Sequence, residues 1–76
     1  SLLTPHNAIH YLLCTALLPE IQKVIQEYIV QNWNDVSSSP EFEYCCDQVS
    51  TGEWGPLAGR ALLSLMRHLR HTSVSR

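Results

Sequence analysis

Three groups of residues in this sequence have types and spacings that chemistry can use. His6, His10 and Cys14 fall at i, i+4 and i+8, so they line one side of a helix. Two histidines one turn apart can share a zinc ion, and a thiolate can join them. The first and third residues, however, are about 12 Å apart along the axis, too far for one metal. No fourth ligand is placed by spacing, so the column reads as a semi-polar helix flank. Cys45 and Cys46 are adjacent, which neither closes a disulfide readily nor makes a Cys-x-x-Cys motif. Both fall on the apolar side of their helix, where a free cysteine packs as a small hydrophobe. No base is placed to activate either of them.

The third group is basic. Arg60, Arg67, His68, Arg70, His71 and Arg76 follow the last acid in the chain, Glu53. Arg60, Ser64, Arg67 and His71 share the helix face opposite a row of leucines. Four arginines on one segment can meet phosphates. The chain's pI of about 6.0 argues the other way, because nucleic-acid domains usually lie above ~9. The alternative is a solvated face that complements the helix dipole and can salt-bridge to the preceding helix. No glycine-rich phosphate loop and no serine in a nucleophile elbow is present. An enzyme is therefore not expected, nor is any cofactor or metal.

The elements that position these residues are helices. Between Thr4 and Trp33, Ile9, Leu12, Leu13, Ala16 and Leu17 draw one apolar face, and Ile21, Val24, Ile25, Tyr28 and Ile29 a second. Thr4-Pro5 reads as an N-cap and first helical residue, predicting helix 1 over 5–17. Pro19 then breaks the chain and opens helix 2 over 19–33, the alternative being one long helix kinked there. Asn34 to Ser39 is polar and serine-rich, and reads as a loop. Ser39-Pro40 repeats the capping signature, and Glu41 and Glu43 suit the positive end of helix 3, over 40–51. Gly52 suits the stop, and Gly55-Pro56 starts helix 4 over 56–71. Residues 72–76 are expected to fray. No strand pattern and no internal repeat appears.

Seventy-six residues make one domain at most, with a core that buries roughly 60% of the unfolded surface. Chains of this size usually add a disulfide, a metal or a second subunit. The composition, 45% apolar and 16% charged, is that of a globular domain. The longest apolar runs fall far short of the ~20 residues of a membrane span, so no membrane role is expected. Three cysteines make an odd count, which suits a reduced, intracellular setting in cytoplasm or nucleus better than a disulfide scaffold. A first residue of Ser and the lack of a signal peptide suggest a piece of a longer intracellular protein. Net charge is −2, but all seven acids lie between Glu20 and Glu53, leaving a basic C-terminal segment.

These observations predict a small all-α domain over 1–76, four helices packed as two antiparallel hairpins, or else a segment of an α-solenoid. The expected core is Ile9, Leu12, Leu13, Ala16, Leu17, Ile21, Val24, Ile25, Tyr28, Ile29, Phe42, Cys45, Cys46, Val49, Leu62, Leu65, Met66 and Leu69. Ala58 and Ala61 join the buried face of helix 4. Apolar residues in excess of one small core point to a protein-interaction or assembly module, a scaffold rather than a catalyst. Its partner would be an amphipathic helix or a helical subunit, with a homo-oligomer also open. The candidate contact residues are Tyr11, Val30, Trp33, Trp54, Arg60, Leu63 and Arg67. Replacing a true anchor such as Trp33 by alanine would cost binding about 2 kcal/mol or more. The alternative function is nucleic-acid binding through the basic face of helix 4.

Overall fold

In a computed structural model, which describes residues 2–74, local capping chemistry sets most of the helix boundaries. The first helix, α1, is Ala8–Cys14. Ahead of it Thr4 and Asn7 cap one another: the Asn7 N–H donates to Thr4 Oγ1 at 3.3 Å, and the Thr4 N–H donates to Asn7 Oδ1 at 2.8 Å. Residues 5–7 are therefore a hydrogen-bonded turn, and helix 1 is shorter at both ends than the predicted 5–17. At its other end the Thr15 hydroxyl donates to the Tyr11 carbonyl at 2.8 Å, competing with helical continuation. Leu18 takes φ −123° and ψ 78°, and Pro19 is the first residue of α2, Pro19–Gln31. The proline breaks the chain, as its steric demand on Leu18 requires.

Of the loop expected over 34–39, residues 34–37 are helical and only 38–39 connect. Asn32 ends α2 with φ −114° and ψ 30°, while its side-chain amide donates to the Tyr28 carbonyl at 2.9 Å. The chain resumes at once as α3, Trp33–Ser37, with the Val36 N–H on the Asn32 carbonyl at 2.9 Å. A five-residue helix has little stability of its own. Val36 is fully buried and Trp33 packs against the core, so tertiary contact overrides the polar composition. Helix 2 accordingly stops before the predicted residue 33.

The next helix, α4, is Pro40–Ser50, with Ser39 as its N-cap. The Ser39 hydroxyl accepts from the Phe42 N–H at 3.2 Å and donates to the Val36 carbonyl at 2.8 Å, joining α3 to α4. Because Ser39 is buried, Ser39→Ala is expected to cost about 1–2 kcal/mol, seen as a lower urea midpoint at unchanged m-value. At the far end the Glu53 N–H reaches the Gln48 carbonyl and the Gly52 N–H the Val49 carbonyl. Those two bonds form a Schellman stop, and Gly52 supplies the required positive φ of 83°. The last helix, α5, is Pro56–Val74, longer than the predicted 56–71. Of the expected frayed tail 72–76, residues 72–74 are helical, and 75–76 lie outside the described residues.

All the described regular structure is helical, in five helices where four were expected. The shortest of the N-terminal elements is the hub: α1 packs against α2, α4 and α5, while α2 also meets α3 and α5. The buried set is Ala8, Ile9, Leu12, Leu13, Ile25, Ile29, Val36, Cys45, Ala58, Ala61 and Leu65. Three alanines, Ala8 on α1 and Ala58 and Ala61 on α5, belong to that set. Tyr28, Phe42, Val49, Leu62 and Leu69 pack on its edge, and Ala16 and Cys46 are also half-buried. Four expected core residues, Leu17, Ile21, Val24 and Met66, are exposed. Their helices have apolar arcs wider than the neighbours can cover, and Leu17 lies in the turn beyond α1.

Candidate interaction surfaces

The structure divides the candidate contact residues among three places. Tyr11 and Trp54 come together in an open groove of about 500 Å³ between α1, α4 and the α4–α5 connection. The Trp54 indole N–H donates to Gln48 Oε1 at 2.9 Å, and the His10 ring meets the indole edge-on at 5.2 Å. Trp54 is thus a half-buried clasp between three elements, with Tyr11 at the rim. Val30 and Trp33 line a second open groove, of about 460 Å³, near the end of α5. Both pack on the core, and the Trp33 ring stands at 89° to Phe42 with centroids 5.3 Å apart.

Arg60, Leu63 and Arg67 form the third group, on the outward side of α5, and all three are exposed. No acid occurs on α5. Among the described residues neither of these arginines, nor Arg70, makes an ion pair; the one pair present is His6–Glu41. The expected salt bridges to the preceding helix are therefore not made. Lys23, Glu20 and Glu27 on α2 are likewise exposed and make no ion pair among the described residues.

Residues of the histidine–cysteine column serve as connectors between helices. His6 Nδ1 lies 3.0 Å from Glu41 Oε1, joining the turn ahead of α1 to the first turn of α4, and His10 meets Trp54. No group of three or more His, Cys, Asp or Glu side chains able to hold a metal ion occurs among the described residues. The hydrogen bond from His6, helped by a backbone N–H, holds the Glu41 carboxyl below its ordinary range, against a small opposing effect of burial. A depressed carboxylate stabilises the fold above its unfolded value of about 4.3, and that contribution is lost as pH falls through the folded value. His6→Ala is accordingly expected to move Glu41 upward in a carboxyl NMR titration; an unchanged value would remove His6 as the cause.

All three cysteines are free. Burial pushes the Cys45 thiol up, helped by Cys14 and Glu41, and burial likewise raises Cys46. A raised thiol is mostly protonated at neutral pH, which is the opposite of an activated nucleophile.

The chain matches no known family model, and no curated protein or solved structure shows significant similarity to it.

The surface that sequence reasoning missed is apolar. Leu17, Leu18, Ile21 and Val24 form an exposed patch over the α1–α2 turn and the start of α2. On α5, Leu63 and Met66 are exposed beside the arginines. The available signal was the width of the apolar arc on α2, from Val24 round to Ile29, which exceeds what one neighbouring helix covers. No described helix is long and apolar enough to cross a membrane.

Proposed function

We infer that this chain is a non-catalytic helical module for protein–protein interaction or complex assembly. The observation that carries the reading is the amount of apolar surface left uncovered. More large apolar side chains are exposed than buried: Leu17, Leu18, Ile21 and Val24 lie on or just before α2, Leu57, Leu63 and Met66 on α5, and Leu2, Tyr11 and Tyr44 elsewhere. Contiguous patches of that kind mark interaction sites, and a core this small gains from being extended across a partner. On α5 the contact set is Arg60, Leu63 and Arg67, with Met66 added. Tyr11 and Trp54 in one groove, and Val30 and Trp33 in the other, are separate candidate contacts. An intracellular setting belongs to the same reading, resting on three cysteines that remain thiols.

Nucleic-acid binding is the second reading, favoured by three arginines outside ion pairs on a helix without acids. Leu63 and Met66 between them favour a protein surface over phosphates, which offer such side chains nothing. The two readings separate in a pull-down from lysate at low and moderate salt, with and without nuclease. Specific proteins retained through both treatments support the module. Loss of all captured material on nuclease supports the basic face, and Arg67→Ala with Arg70→Ala should then flatten the salt dependence.

A further inference from the structure

The groove between α1, α4 and the α4–α5 connection gathers aromatic rings around one carboxylate. His10 and Tyr11 come from α1, Tyr44 from α4 and Trp54 from the connection, with His6 and Glu41 also in the lining. Tyr44 and Tyr11 are 65% and 40% exposed, so neither ring is used up by the core. The Trp54 N–H is already donated to Gln48 Oε1, which leaves the indole its ring surface to offer a ligand. Glu41 and Tyr44 are three residues apart on α4 and therefore neighbours on one helix face. His6, with Nδ1 3.0 Å from Oε1, holds the carboxylate in place.

The charge around this groove has one sign. No Lys or Arg precedes Lys23, and none lies between Lys23 and Arg60, so α1, α3 and α4 carry no such base. Four of the seven acids, Glu41, Glu43, Asp47 and Glu53, belong to α4 or to the connection after it. An apolar ligand would strip water from the Glu41 carboxylate without replacing it, which is costly. An anion would meet like charge. A cation suits both parts, since the rings attract it through their quadrupoles and the carboxylate attracts it by charge. A guanidinium is planar and weakly hydrated, and it can stack on a ring while forking a carboxylate, which an ammonium cannot.

We propose that this groove takes an arginine side chain presented by a segment of a partner protein, its guanidinium lying against the Tyr11, Tyr44 and Trp54 rings with Glu41 as counter-ion. The inference rests on the interaction-module reading and adds the partner's chemistry. Because the groove is open, the main chain bearing the arginine can stay at the surface.

The test is an NMR titration of the purified chain with the peptide acetyl-Gly-Ser-Arg-Ser-Gly-amide, beside peptides carrying lysine or citrulline at the centre. The arginine peptide should shift the Trp54 indole N–H resonance saturably and leave that of Trp33, which lines the other groove, unmoved. Lysine should bind about threefold or more weakly, and citrulline, which keeps the shape without the charge, should not saturate. Glu41→Gln and Tyr44→Ala should each weaken the arginine peptide about threefold or more. Both positions are exposed, so circular dichroism should stay that of the parent. Glu43→Gln removes the same charge from α4 outside the groove lining and should change little. A flat titration, equal binding of the lysine or citrulline peptide, or equal weakening by Glu43→Gln would overturn the proposal. A chain that ignores the arginine peptide yet captures specific proteins from lysate overturns the arginine site and leaves the module reading standing.

Discussion

Leu12→Ala is expected to cost about 2–5 kcal/mol, the range for emptying a buried leucine site. Leu12 is fully buried on α1, the helix that touches α2, α4 and α5, so the cavity opens where three interfaces meet. A chain of 76 residues has roughly 4–11 kcal/mol of stability in total. The variant should therefore unfold at a much lower urea concentration, with a measurable unfolded fraction before denaturant is added. Leu17→Ala is the control. The side chain is the same and lies five residues further on, but it is mostly exposed, so the change should stay within about 0.5 kcal/mol. Similar losses at both sites would mean that Leu17 is covered in solution.

Trp33→Ala is the second large effect, and it falls on stability before binding. The ring is half-buried, packed on the core and set edge-on against Phe42 across the α3–α4 junction. Removing it should cost about 2–4 kcal/mol, combining lost area with the aromatic pair. Helicity should fall with it, since α3 has five residues and depends on Trp33 and Val36 for its order. Far-ultraviolet circular dichroism and a urea titration read this directly. Full stability with weakened partner binding would instead make Trp33 a contact anchor.

The contrast between Leu12 and Leu17 shows what was legible in the sequence. Helix ends at Pro19, Ser39-Pro40, Gly52 and Gly55-Pro56 depend on chemistry within a few residues, and could be read directly. So could the all-helical class, and the burial of Ile9, Leu12, Leu13, Ile25, Ile29, Cys45 and Leu65. Periodicity does not say how much of an apolar arc finds a neighbour. Ile21, Val24 and Met66 fit their stripes as well as Ile25 and Leu65 do, yet lie outside the contacts. Val36 was hidden for the converse reason: a lone apolar residue among serines has no period, and only packing reveals it. For the candidate surfaces, Arg60, Leu63 and Arg67 lie together as their seven-residue span implies. The pairing of Trp54 with His10 and Gln48 depends on the fold bringing α1 to α4, which no local pattern encodes.

The placement of α1 at the hub has a consequence for how the chain is made. Ala8, Ile9, Leu12 and Leu13 leave the ribosome well before α5, but α1 reaches its packing in full only when α5 has been synthesised. At the 5–20 residues per second typical of synthesis, that leaves a wait of several seconds. During it, α1 and α2 can pair while the side of α1 that will meet α5 stays uncovered. The last helix is therefore the closing piece of the core, and a transcript truncated before Pro56 would yield a chain with its hub exposed.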